Sequence, residues 1–239
     1  MIKEAIEYIV GLSKPSTITI GDAVFSDRVL KQVYARNHAA DPIMLNTLSG
    51  LVDYIGSGYD EMKNMFISID SHEYVRLYSS LDQFRYRETL AAVDAQYPKI
   101  REGYQTQEEF IIGLQSKFVP TEDRELLLKF AGTVEHGTVS NYSDDGVTQK
   151  ATIKTGITSK SSAIVPNTVR LSPYRTFIEV DQPESEFIFR MKEENGKVLC
   201  GLFEADGGAW KIEAKRNIKE YLEKELGVFK DSIGIVILS

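Results

Sequence analysis

An Asn-Gly turn between two alternating segments constrains the fold of this chain most strongly. Residues 186–192 and 198–204 alternate apolar and polar side chains, and Asn195-Gly196 lies between them. Asn-Gly favours the positive φ angles of the tight turns that join antiparallel strands. The two segments therefore predict a β-hairpin. Further strands are predicted at 163–165 and 176–181, and these extend the hairpin into a larger antiparallel sheet.

Apolar residues at helical spacing predict several helices. Thr106 and Thr121 stand at helix N-cap positions, and Glu109 completes a capping box with Thr106. Amphipathic helices are therefore expected to begin at these two threonines and to end near residues 117 and 130. By spacing alone, further helices are predicted over residues 2–12, 46–55, 87–96 and 217–226.

Short alternating or apolar runs elsewhere predict additional strands. They lie at 17–20 with 23–25, at 65–70 with 74–79, in a hairpin over 134–157 that turns at 143–146, and in a buried final strand over 233–238. The combination of helices with mainly antiparallel strands predicts an α+β fold.

The two halves of the chain differ in their predicted secondary structure. Residues 1–132 are a mixed part that contains the amphipathic helices, and residues 133–239 are an antiparallel β-rich part flanked by the helix at 217–226. We predict a boundary between 132 and 133, or alternatively one continuous domain, since 239 residues are enough to build a single large core.

Charge is distributed unevenly along the sequence. The net charge is −7, and an acidic protein repels nucleic acid at long range, which disfavours a general nucleic-acid-binding role. Residues 147–178 nevertheless contain five basic and no acidic residues. A phosphate-bearing partner would be favoured locally at this acid-free window, although a Ser/Thr-rich loop that merely lacks acids has the same composition.

Several features predict a cytoplasmic protein without a membrane segment. No apolar run approaches the 18 residues of a membrane span, and acidic residues near the N-terminus are unlike a signal peptide. The single cysteine, Cys200, cannot form an internal disulfide, which fits a reducing compartment. The three histidines are far apart, so we expect no zinc site and no bound cofactor.

Two clusters pair arginines with aromatic residues and are candidate sites for an anion or a nucleotide. Residues 84–87 read Phe-Arg-Tyr-Arg, which makes Arg85, Tyr86 and Arg87 candidates. Tyr174 and Arg175 form a second pair inside the acid-free window. Aromatic rings stack on bases while arginine holds phosphate in many nucleotide sites. The alternative for residues 84–87 is the end of an ordinary strand, whose side chains alternate between the two faces of a sheet.

The most unusual segment is residues 204–210, Glu-Ala-Asp-Gly-Gly-Ala-Trp. Two acids, two glycines and the only tryptophan fall within seven residues after a predicted strand. As a binding corner, it would use Trp210 as a stacking platform and the acids as acceptors. As a structural turn, it would use the glycines for positive φ and Trp210 as an anchor for the next element.

The segments 164–167 (Ile-Val-Pro-Asn), 174–177 (Tyr-Arg-Thr-Phe), 182–185 (Gln-Pro-Glu-Ser) and 203–210 resemble an uncharacterised family of phage and prophage proteins from Gram-positive bacteria. Residues 2–8 and 48–54 are similar too, so the resemblance spans most of the chain. The family has no assigned activity or catalytic residues, and none is carried over. The resemblance implies an accessory viral protein made in a bacterial cytoplasm.

Three functions remain open. The first is a non-enzymatic, oligomeric binding protein of phage–host conflict, an anti-defence protein whose target is a small nucleotide-like ligand or a host protein. The apolar terminal strand is what suggests a homo-oligomer. The second is a single-stranded nucleic-acid-binding factor of phage replication or recombination. The third is a metal-dependent phosphodiesterase that uses Asp144, Asp145, Glu204 and Asp206.

Overall fold

The computed structural model describes residues 2–12, 15–20, 23–27, 40–82, 85–134, 140–141, 149–154, 160–164 and 166–239. The chain divides into two compact units, Met1–Ala40 and Asp41–Ser239. A boundary between residues 132 and 133 falls inside the second unit and stays a prediction. The architecture is α+β, as the sequence predicts. Among the described residues, no helix combines the length and apolar character needed to span a bilayer.

The first unit contains a helix and a hairpin, and both predictions for it are confirmed. The elements are α1 (Ile2–Leu12), β1 (Thr17–Ile20) and β2 (Ala23–Ser26). The two strands pair antiparallel, with Ile18 opposite Phe25 and Thr19 opposite Val24. Because directly opposed residues of a sheet share a face, Ile18, Ile20 and Phe25 lie on one face of the hairpin.

The larger sheet of the second unit has five strands in the order β14-β4-β5-β6-β3. These are β3 (Ile43–Leu45), β4 (Phe66–Ile69), β5 (Tyr74–Tyr78), β6 (Thr89–Asp94) and β14 (Val236–Leu238). One face packs against α2 (Leu48–Gly56) and α5 (Trp210–Glu225), and the buried side chains between them form one hydrophobic core. The predicted hairpin of β4 and β5 is confirmed.

The helix predicted over residues 87–96 is wrong, because this segment is the strand β6. β6 lies between β5 and β3, and its Ala91 and Val93 are fully buried. A short apolar run fits a buried strand as well as a helix, so its spacing could not distinguish the two.

The second sheet has four strands in the order β11-β12-β13-β7. These are β7 (Gly103–Thr106), β11 (Val169–Leu171), β12 (Ser185–Glu194) and β13 (Lys197–Glu204). The predicted Asn-Gly hairpin is confirmed, since Asn195 has φ 52° and Gly196 has φ 70° between β12 and β13. Two helices, α3 (Gln107–Lys117) and α4 (Glu122–Thr133), pack with this sheet in a second core. Both predicted N-caps are present at Thr106 and Thr121.

The strand predicted over residues 176–181 is wrong, because this segment is irregular. Phe177 and Val180 are buried in the first core, which explains their apolar spacing. Their backbone carbonyls accept hydrogen bonds from the Gln182 side-chain amide at 2.9 and 3.1 Å. Hydrogen bonds from a nearby side chain therefore satisfy backbone carbonyls that, in a strand, would bond to a neighbouring strand.

The predicted C-terminal helix is confirmed as α5, which begins at Trp210, seven residues before the predicted start. The prediction of a buried final strand over 233–238 is wrong in its burial and its start. The strand begins at Val236 and lies at a sheet edge, where Val236 and Leu238 are exposed. A third sheet contains β8 (Ser140–Asn141), β9 (Gln149–Lys154) and β10 (Lys160–Ile164). The antiparallel pair of β8 and β9 confirms the hairpin predicted over 134–157, whose turn at 143–146 lies outside the described residues. The strand predicted at 163–165 overlaps β10, but β10 pairs with β9 and does not extend the Asn-Gly hairpin.

Candidate functional site

A cleft of about 680 Å³ opens on the second unit, where parts of both large sheets meet. Its walls come from the β4–β5 turn, the segment between β6 and β7, the end of β13 and the start of α5. The apolar part of the lining is formed by Ile100, Phe187, Leu202, Phe203 and Trp210. The cleft therefore collects side chains from elements that are far apart in the sequence.

Arg175 and Trp210 line this cleft and contact each other. Arg175 is 6 % exposed, and its guanidinium carbon lies 3.8 Å from the centroid of the Trp210 ring. The guanidinium donates hydrogen bonds to the Glu204 carboxylate and to the Ser185 hydroxyl. An ion pair, two hydrogen bonds and a stacked ring thus fix one buried cation in place.

Asp206 supports the same cluster. Its carboxylate accepts from the Ser185 hydroxyl at 2.6 Å and from the Gly208 backbone amide at 2.9 Å. Burial alone would raise the pKa of Asp206, but these hydrogen bonds and the nearby charge of Arg175 hold it below its usual range. The glycines that follow have positive φ, 64° at Gly207 and 83° at Gly208, so the chain turns tightly into α5.

A second polar group also lines the cleft. The Tyr97 hydroxyl donates to the Glu73 carboxylate at 2.6 Å, and His72 Nε2 lies 3.9 Å from that carboxylate. The His72 ring meets the Trp210 ring edge to face, with centroids 4.6 Å apart. Burial lowers the pKa of His72, and the charges of Lys211 and Arg175 lower it further against the opposing effect of Glu73. These effects together favour the neutral form of the His72 ring.

Three further cations line the cleft: Lys99, Arg101 and Lys211. Arg101 lies 3.4 Å from Glu109, in an exposed ion pair. Lys211 Nζ is 5.7 Å from the Trp210 ring centroid. Within the described part of the chain, neither Lys99 nor Lys211 has an acidic partner in salt-bridge range. These two charges are available to an anionic ligand.

The structure unites only two of the six residues predicted for binding. Arg175 and Trp210 are in contact in the cleft. Tyr174 is half-buried, and its backbone amide donates to the Lys117 carbonyl at the end of α3.

Arg85, Tyr86 and Arg87 lie at the other end of the β4–β5 hairpin. The Arg87 guanidinium carbon is 4.1 Å from the centroid of Phe66, which stacks on Tyr78 at 4.8 Å. Phe66 begins β4, whereas the cleft takes its residues from the turn after that strand, roughly 13 Å further along the chain. The predicted partner residue at position 84 lies outside the described residues.

Sequence reasoning missed His72, Glu73, Tyr97, Lys99 and Lys211. Only Lys211 carried a signal, because it follows Trp210 directly at the start of a helix. The others come from two connections between strands, and no spacing in the sequence shows that these connections meet.

The carboxylates proposed for metal-assisted chemistry have other contacts. Glu204 accepts from Arg175 and Asp206 from Ser185, while Asp144 and Asp145 lie outside the described residues. Across the residues whose placement is described, no group of three His, Cys, Asp or Glu side chains could hold a metal ion.

Comparison with known proteins gives no match to a protein-family model, to a curated protein or to a solved structure.

Proposed function

We propose that this protein is a non-enzymatic binding protein whose cleft takes a small nucleotide-like ligand. The observation that carries this proposal is the cleft itself, which is lined by Arg175, by the Trp210 ring stacked on it, and by Lys99 and Lys211, which have no acidic partner among the described residues. Its volume of about 680 Å³ lies within the range of roughly 300–1,000 Å³ that small-molecule sites occupy.

The distribution of side chains suits a ligand with one anionic end and one flat end. Lys99, Arg101 and Lys211 supply the positive charge that phosphate groups require. Leu202 and the partly exposed ring of Phe203 supply apolar surface for a base. Glu73 offers a carboxylate oxygen that can accept from a ribose hydroxyl or a base amine.

The biological setting rests on the resemblance of segments such as 203–210 to phage and prophage proteins. In that setting the protein is an accessory protein of phage–host conflict that captures a nucleotide-like molecule in the host cytoplasm. A host protein is the alternative target.

The fluorescence of Trp210 provides a direct test, since it is the only tryptophan and it lines the cleft. Nucleoside phosphates and dinucleotides are titrated into the protein, and saturable quenching or a spectral shift is expected. Reversing one cation, Lys211→Glu, is expected to abolish the response. The matched control is Lys224→Glu, because Lys224 is an exposed lysine of the same helix, roughly 20 Å along its axis from Lys211.

Three results would contradict the proposal. One is the absence of a response to any nucleotide in the wild-type protein. Another is an equal response in wild type and Lys211→Glu. The third is rapid conversion of a bound nucleotide to product, because it would indicate an enzyme.

A further inference from the structure

The aromatic lining of the cleft continues onto the open face of the second sheet. Phe203 lines the cleft and is 37 % exposed. Its ring meets the Tyr104 ring of strand β7 edge to face, with 5.5 Å between the centroids. Val198 and Cys200 of β13 are buried in the second core, so Phe203 lies on the opposite face of the sheet. We call Phe203 and Tyr104 the aromatic strip.

Gly201 allows the two rings of the aromatic strip to lie across β13. It pairs directly with Tyr104 and stands two residues before Phe203, on the same face of the sheet. A Cβ at this position would lie 3.0 Å from the Phe203 ring and 3.2 Å from the Tyr104 ring, so both rings would have to move to accommodate a side chain. The missing side chain therefore lets an aromatic surface inside the cleft continue to one outside it.

Two basic side chains of β12 flank the aromatic strip. Arg190 pairs with Gly201 in the ladder and so shares its face. The Arg190 guanidinium donates to the Phe189 carbonyl at 3.2 Å, and among the described residues no acidic side chain lies in salt-bridge range of it. Lys192 Nζ lies 4.7 Å from the Tyr104 ring centroid and 2.8 Å from the carboxylate of Glu194. Arg190 is thus a positive charge beside the strip that is available to an anionic group.

We infer that the ligand of this protein carries two nucleobases joined through phosphate, and that the aromatic strip with Arg190 is the site of the second base; this inference rests on the proposed function. The cleft combines lysines with aromatic surface, which suffices for one nucleotide. The strip and Arg190 repeat that combination of ring and cation directly beside it. Stacking on aromatic side chains tolerates every base, so the linkage of two bases, rather than their identity, is what this surface selects.

Titration of the full chain with adenosine monophosphate and with its phosphodiester-linked dinucleotide, followed by Trp210 fluorescence, tests the inference. The dinucleotide is expected to bind on the order of 10-fold more tightly, as one additional stacked base provides. Tyr104→Leu and Arg190→Gln are each expected to remove most of this gain and to leave the affinity for the mononucleotide unchanged. Two matched controls are expected to keep the gain: Tyr104→Phe retains the ring, and Lys197→Gln removes an exposed charge at the turn of the same hairpin.

Comparison of the two ligands on the wild type needs no variant and separates this inference from the proposed function. Equal affinities would overturn the inference and leave the proposed function standing, whereas no binding of either ligand would overturn both. A gain that survives both Tyr104→Leu and Arg190→Gln would also overturn the inference. A longer adenosine single strand distinguishes the two sources of a two-base ligand. Binding as tight as that of the dinucleotide supports a stretch of single strand, and binding of the dinucleotide alone supports a free dinucleotide.

Discussion

The guanidinium of Arg175 lies over the ring of Trp210, with 3.8 Å between its central carbon and the ring centroid, and this contact joins the irregular segment before β12 to the start of α5. Arg175 also bonds Glu204 at the end of β13. One side chain therefore connects three elements that border the cleft.

Replacing Arg175 is expected to destabilise the protein. Arg175→Ala leaves the Glu204 carboxylate and the Ser185 hydroxyl without their donor and removes the stacking partner of Trp210. Breaking a buried pair in this way costs several kcal/mol, and because Glu204 is partly exposed we expect about 2 kcal/mol. Urea unfolding followed by Trp210 fluorescence measures the loss. The control, Arg216→Ala, removes an exposed pair with Glu213 and is expected to change stability by less than about 0.5 kcal/mol.

The helices and hairpins were predictable because their signals are local. Thr106 with Glu109 identifies a helix start, and Asn195-Gly196 identifies a turn, from a few adjacent residues. β6 was predicted as a helix because an apolar run such as 90–93 has no local feature that distinguishes a strand from a helix. The cleft was predictable only at Arg175, Glu204 and Trp210, since most of its other residues meet through the pairing of distant strands.

The stability of the protein is expected to fall as the pH drops below about 6.5, partly through His72. The pKa of folded His72 lies below its unfolded value of 6.5, mainly because burial disfavours the charged ring. Between the two values the unfolded chain binds more protons, so unfolding becomes easier as protons are added. Above pH 6.5 this contribution is fully present.

The variant His72→Gln isolates this contribution from the other two histidines. Unfolding midpoints of wild type and variant are compared from mildly acidic to neutral pH. The stability advantage of the wild type is expected to shrink as the pH falls, because only the wild type loses the His72 contribution. NMR titration of the His72 ring gives its pKa directly. A value above 6.5 would show that Glu73 outweighs burial and the two neighbouring cations.

Arg124 is expected to stabilise the pairing of α3 with α4. Its side chain is buried and donates to the Leu114 carbonyl at 2.8 Å and to the Gln115 carbonyl at 2.9 Å, near the end of α3. Arg124→Ala leaves the carbonyl of buried Leu114 and the partly buried carbonyl of Gln115 without this donor, at an expected cost of about 2 kcal/mol in urea unfolding. Lys129→Ala changes an exposed residue of the same helix and is expected to be nearly neutral. Equal stability of the two variants would mean that water replaces the guanidinium.

The Cys200 thiol is expected to be inert in the folded protein. Cys200 is fully buried in the second core, and burial raises its pKa to about 12. Only the thiolate reacts with disulfide reagents, so both access and ionisation protect this residue. Labelling with such a reagent should give no signal in native buffer and one equivalent per chain after urea is added, since the chain has a single cysteine. Labelling of the native protein at the rate of a free thiol would show that β13 opens frequently, and the hairpin it forms with β12 would then be a mobile wall of the cleft rather than a fixed one.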